Sequence, residues 1–165
     1  MTTHHSVELL FRFAAYVMFG LTLETLFSIH GIEVCLGMKT PLHRRMPKRY
    51  LEGFVSAYMI PLHGLGMLFL FEPACQALAP LHWTLRFVVW ALAITGAEVA
   101  WGWILRRTVG FYPWDYYKES RFRIFREGYT LWTLVPLWGT AGLVMEWYSG
   151  LVRHLSPSVA AYVLG

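Results

Sequence analysis

Charge is what this chain has least of. Only 15% of its 165 residues are Asp, Glu, Lys or Arg, against about 25% in an ordinary soluble domain. Apolar bulk takes its place: 56% of the residues are hydrophobic, and the mean hydropathy is +0.44. That balance argues against a soluble domain and for a membrane. Cysteine is scarce too, with two residues. Neither Cys35 nor Cys75 belongs to a Cys-x-x-Cys pair, and no His-Glu-x-x-His occurs, so the sequence carries no metal motif and implies no cofactor. A Gly-x-x-x-x-Gly-Lys-Ser/Thr phosphate loop is missing, so the chain does not drive ATP hydrolysis by itself. No internal repeat, low-complexity tract or linker divides it. The first apolar segment is long for a signal-peptide core, holds Glu24 and lacks a small-residue cleavage site after it, which reads as a retained helix.

What is abundant supports the same reading. Eight tryptophans and nine tyrosines are the residues that favour the bilayer interface. A span needs roughly 20 mainly apolar residues, and four segments qualify, near 9–29, 54–71, 83–105 and 129–148. Lipid-exposed backbone must satisfy its own hydrogen bonds, so these segments are expected to be helices. Alternation with a period of two is absent, which argues against a barrel. The expected fold is all-α: a polytopic membrane protein built as one bundle of four transmembrane helices over residues 1–165.

The basic residues orient that bundle. Lys39, Arg44, Arg45, Lys48 and Arg49 lie in the first loop, and Arg106, Arg107, Lys118, Arg121, Arg123 and Arg126 in the third. The second loop, 72–82, has no Lys or Arg. Basic loops stay in the cytoplasm, so both termini are expected on the non-cytoplasmic side of an inner or plasma membrane. The net charge of +4 is then matched to anionic lipid headgroups rather than to nucleic acid. Cys35 and Cys75 fall on opposite sides of a hydrocarbon core about 30 Å thick, which predicts two free thiols.

Polar residues inside the apolar segments are the candidates for function. Glu24 lies in the first, His63 in the second, Glu98 in the third and Glu146 towards the outer end of the fourth. A charge at the bilayer centre costs about 2.5–3.5 kcal/mol on insertion scales, so such groups face the interior, stay protonated or are paired. Gly20 precedes Glu24 by one turn and Gly102 follows Glu98 by one turn, which allows a neighbour to approach closely. Two readings stay open. Glu24, His63 and Glu98 line a polar site for an ion, a proton or a headgroup, or they are hydrogen-bonded packing contacts between helices. Pro61 and Pro136 are expected to kink the second and fourth helices. "PLHGLG", 61–66, reads as a bent or locally unwound stretch with His63 at the bend.

Outside the third segment, Trp114, Asp115 and Tyr116 form a cytoplasmic turn. Its rings suit headgroup depth, and Asp115 can cap or pair with Arg106 or Arg107. "RFRIFR", 121–126, reads as an interfacial segment with arginines towards phosphates and Phe122, Ile124 or Phe125 towards lipid. At the end of the chain, Ser156 followed by Pro157 marks the start of a short helix along the outer face.

Several of these residues fall into a pattern. Gly20-x-x-x-Glu24, then Pro61-Leu62-His63-Gly64-Leu65-Gly66, then Glu98-x-x-x-Gly102, then Trp114-Asp115-Tyr116 stand in an order and spacing that resembles the ABC-transporter type IV permease family (CmpB-like), whose animal relatives are catalogued as transmembrane protein 229. The likeness covers most of the chain. It departs at His63, where the family usually has tyrosine, at Lys48-Arg49-Tyr50, where Asn-Arg-Gly is common, and at Tyr117, where serine is common. The resemblance implies transport. With four helices and no phosphate loop, that role needs an ATPase partner or self-association into a homo-oligomer. Two other readings come from the residues. One is a non-catalytic membrane organiser whose basic loops bind lipid or a partner. The other is a lipid-modifying enzyme, against which stand the absence of a nucleophile, metal or phosphate motif and the depth of Glu24 and Glu98.

Overall fold

The computed structural model describes residues 3–39, 53 and 55–165. Arg44, Arg45, Lys48, Arg49, Tyr50 and Phe54 lie outside the described residues. So does most of the first basic loop.

The architecture is all-α. Helix α1 runs Thr3–His30, unbroken by proline. The short α2, Ile32–Leu36, ends where Gly37 takes φ +67° and returns its N–H to the Glu33 and Val34 carbonyls. After a 3-10 turn at Ala57–Met59, a π-helix covers Leu62–Phe71 and passes directly into α3, Glu72–Leu78. Helix α4 is Trp83–Thr108, and α5 is Val135–Leu164. Two of these, α1 and α4, are long and apolar enough to cross a membrane. Among the described residues the other two expected spans do not meet that test. The second is divided among helices of different winding. The fourth, expected over 129–148, is α-helical only from Val135 and carries Thr140 and Glu146 there.

The two prolines behave differently from expectation. Pro136 sits in the first turn of α5, where its missing N–H has no intrahelical partner to lose. The apolar run 129–134 before it is not helical at its start: Arg123 and Leu131 form an isolated antiparallel bridge, and Trp132 N–H bonds the Phe122 carbonyl at 2.9 Å. Pro157 does not begin a separate terminal helix but lies inside α5. It removes the donor that would serve the Arg153 carbonyl, and the Ser156 hydroxyl donates to that carbonyl instead at 3.1 Å. The "PLHGLG" stretch departs from α geometry, as expected, by widening into the π-helix.

The described residues group into two compact units. The first takes Met1–Leu23, Ser56–His82 and Val144–Gly165; the second takes Glu24–Val55 and Trp83–Leu143. In the first, the Phe19 and Tyr148 rings stack at 3.9 Å, and Tyr148 donates to the Ala15 carbonyl at 3.1 Å. In the second, the end of α2 is tied to the long connection after α4. Ser120 donates to the Leu36 carbonyl and Thr133 to the Cys35 carbonyl, each at 2.7 Å, so the orphan carbonyls of that helix end are satisfied. Neither Cys35 nor Cys75 forms a disulfide among the described residues, and burial raises the Cys35 thiol pKa above its ordinary value.

Candidate functional site

Glu24 and Glu98 belong to the second unit and His63 to the first. His63 is placed against a glycine and Glu98 against an aromatic side chain.

In the first unit the His63 ring fills the space left by Gly20. A Cβ at Gly20 would come within 2.4 Å of the imidazole. Gly64, the next residue, likewise makes room for the Phe13 ring on α1. The glycines therefore let α1 and the π-helix pack by ring against backbone. Nearby is a polar cluster that hydropathy did not reveal. Glu72, at the first position of α3, accepts from Arg12 at 2.7 Å and from the Tyr16 hydroxyl at 2.5 Å. Tyr16, fully buried, also meets Ser149 Oγ at 3.2 Å. Glu72 was assigned by hydropathy to the second loop. The available signal was Arg12, a cation inside the first apolar segment that needed an acid.

The second unit holds the less compensated acid. Glu98 is buried on α4, and its Oε2 accepts the Trp138 indole N–H at 3.0 Å. No Lys or Arg pairs with it among the described residues. Glu24 is close enough for its charge to act on Glu98. One turn beyond Glu98, a Cβ at Gly102 would meet Tyr129 at 3.1 Å and Trp114 at 3.2 Å. Here too a glycine one turn from an acid admits aromatic rings.

Those rings come from the connection between α4 and α5. Its Trp114-Asp115-Tyr116 turn packs inward in part: Tyr112, Trp114 and Tyr117 are buried, Tyr116 is half-buried, and Asp115 is exposed. Trp114 donates its indole N–H to the Tyr129 carbonyl at 2.9 Å, and Tyr112 donates to the Glu127 carbonyl. Burial pushes the Tyr112 phenol up to about 12, and the Asp115 carboxylate adds to it. Burial also raises Tyr116, followed by the charges of Glu24 and Glu98. It raises Tyr117 well above the usual range, followed by Glu98. The turn thus lies within electrostatic reach of the two carboxylates. Asp115 pairs with Lys118 at 3.4 Å rather than with Arg106 or Arg107. Arg106 instead donates to the Tyr129 hydroxyl at 3.3 Å, and Arg107 lies over the Trp103 ring. In "RFRIFR", Arg123 donates to the Lys118 and Ser120 carbonyls and so braces its own loop, while Arg121 and Arg126 are exposed. Among the described residues no group of three His, Cys, Asp or Glu side chains is arranged to hold a metal ion.

A family model described as "Putative ABC-transporter type IV" matches residues 11–163. The chain belongs to that family. No curated protein and no solved structure matches it. In this member of the ABC-transporter type IV family, the motifs that carry the likeness interlock in pairs. Gly20 receives His63 of the second motif, and Gly102 receives Trp114 of the fourth. The acid of the third motif, Glu98, feels the acid of the first, Glu24. Sequence reasoning did not single out Trp138, on α5, as the partner of Glu98, nor Thr130 and Tyr117, which lie in an irregular connection with no periodic signal.

Proposed function

We propose that this chain is the membrane-embedded subunit of a transport unit, with its four main helical segments in an inner or plasma membrane and both termini outside the cytoplasm. The single observation behind this reading is Glu98. A carboxylate is buried in a helix apolar enough to cross a membrane, with a neutral indole for its hydrogen bond and no basic side chain paired to it among the described residues. Intramembrane acids facing a protein interior mark ion or substrate paths. Glu24 supplies a second charge, and the charges of both acids act on Tyr116 and Tyr117 of the turn. The family name adds transport as a role.

Four segments without a phosphate loop need partners. Native mass spectrometry of the protein released from its own membranes tests this. The expected result is a nucleotide-binding subunit or a closed homo-oligomer travelling with the chain. A bare monomer carrying only bulk lipid would overturn the transport reading and favour a membrane organiser that binds anionic headgroups through its basic loops.

A further inference from the structure

Between α4 and α5 the chain doubles back as a hairpin. Ile124 N–H donates to the Thr130 carbonyl at 3.2 Å and Trp132 N–H to the Phe122 carbonyl at 2.9 Å, around a turn closed by Gly128 N–H on the Phe125 carbonyl at 3.0 Å. Gly128 takes φ +72°, and its missing side chain lets the turn lie against the Lys118 backbone. Tyr112 and Trp114 hold the Glu127 and Tyr129 carbonyls. A turn braced this firmly nevertheless shows Phe125 and Arg126 to the outside, with Phe125 43% exposed.

The hairpin also sits at a particular level. Tyr129 meets Arg106 through its hydroxyl, and its ring, with that of Trp114, lies against Gly102. Gly102 and Arg107 are about 7 Å apart along α4. The connection therefore runs back beside the last turns of α4 instead of standing clear of them, and the Phe125 ring is 6.4 Å from Tyr129. The interfacial layer of a bilayer is about 5–8 Å deep on each side, which matches this overlap. Six basic residues stand against three acids between 106 and 127. Arg106, Lys118 and Arg123 are engaged by Tyr129, Asp115 and backbone carbonyls. Arg107 and Arg121 lie over the Trp103 and Phe122 rings at 5.4 and 4.7 Å, and with Arg126 they meet no acid among the described residues. Exposed cations beside exposed rings at that level are the pattern of a lipid interface, where phosphates take the charge and acyl chains the rings.

We propose that the 121–132 hairpin and the end of α4 form a docking surface for anionic phospholipid. Arg107, Arg121 and Arg126 bind the headgroup phosphates, and Phe125 enters the acyl boundary. The inference goes beyond the proposed function: it needs α4 to span a membrane but requires neither transport nor a protein partner. Three cations without acids select an anionic headgroup over a zwitterionic one. A soluble partner protein fits less well, because the hairpin stays alongside α4.

The test uses the full chain in neutral detergent, titrated with phosphatidylglycerol or with phosphatidylcholine of the same acyl chains and followed by native mass spectrometry. The expected result is tighter binding of phosphatidylglycerol. Arg121→Gln and Arg126→Gln should each weaken it about fivefold, with phosphatidylcholine binding and unfolding temperature unchanged. Phe125→Ser should weaken both lipids alike. Arg153→Gln, an exposed arginine of the other unit, removes the same charge and should change neither. Equal binding of the two lipids, an equal loss in Arg153→Gln, or a silent Phe125→Ser would each overturn the proposal. So would arginine variants that keep their lipid and lose a co-purifying soluble protein instead. A chain without protein partners that still selects phosphatidylglycerol would sink the transport reading and leave this surface standing. An assembled complex indifferent to headgroup charge would do the reverse.

Discussion

Glu72 and Glu98 are buried to nearly the same degree, at 6% and 9% exposure, yet their surroundings are opposite. Glu72, in the first unit, has the Arg12 guanidinium and the Tyr16 hydroxyl on its two oxygens. Glu98, in the second, has one indole N–H. A buried acid with its counter-charge in place is committed to holding helices together. A buried acid with only a neutral donor retains most of its attraction for a positive charge. Burial alone therefore does not separate a structural carboxylate from a functional one; the charge of its partners does.

The comparison is broken most severely at Arg12. Arg12→Ala should destabilise the fold by about 3–5 kcal/mol, because it strands the Glu72 carboxylate. Replacing both partners, as Arg12→Met with Glu72→Leu, should recover most of that loss in chemical denaturation. If Arg12→Ala is silent, Glu72 is no more committed than Glu98. Next in size is Gly20→Ala, whose methyl group must displace the His63 ring, at about 1–3 kcal/mol. Gly102→Ala should cost less, since its neighbours need to yield by only a few tenths of an ångström. Thermal unfolding of the two variants side by side checks the order.

A smaller effect is expected at Tyr112. Tyr112→Phe removes its bond to the Glu127 carbonyl, at about 0.5–1.5 kcal/mol. The folded phenol holds its proton more tightly than an exposed tyrosine with a value of about 10. Its contribution is therefore fully present below that pH and is lost as pH rises through about 12. Phenolate absorbance should show a late-titrating group that Tyr112→Phe deletes. The smallest change in stability belongs to Glu98→Gln, within about 1 kcal/mol, since the amide oxygen still accepts from Trp138. That variant should lose transport while remaining folded. A collapse comparable to Arg12→Ala would make Glu98 a structural acid after all.

The sequence made some of this legible. Helices α1 and α4 follow from long apolar runs without proline, and the close approaches at Gly20 and Gly102 follow from glycine one turn from an acid. Residues 129–134 misled because hydropathy measures burial, and an extended segment buried under a loop is as apolar as a helix. Pro136 read as a kink only because the helix start was placed too early. The Arg12–Glu72 pair was hidden because its members are 60 residues apart, and a local window does not join them. The same holds for Thr130 beside Glu98. Asp115 found Lys118 three residues on, a nearer partner than the arginines at the end of α4.

The π-helix has an effect on phase. Its wider winding accumulates over Leu62–Phe71, so that Glu72 arrives about half a turn away from where a regular α-helix would deliver it. Wound as α, the same ten residues would aim Glu72 to the opposite side and present something near Leu70, now among the most exposed apolar side chains, to Arg12 and Tyr16. The ion pair at the start of α3 and the helical pitch before it are thus one mechanical element: pitch sets the angle at which the acid meets its base, and the salt bridge in turn holds the pitch.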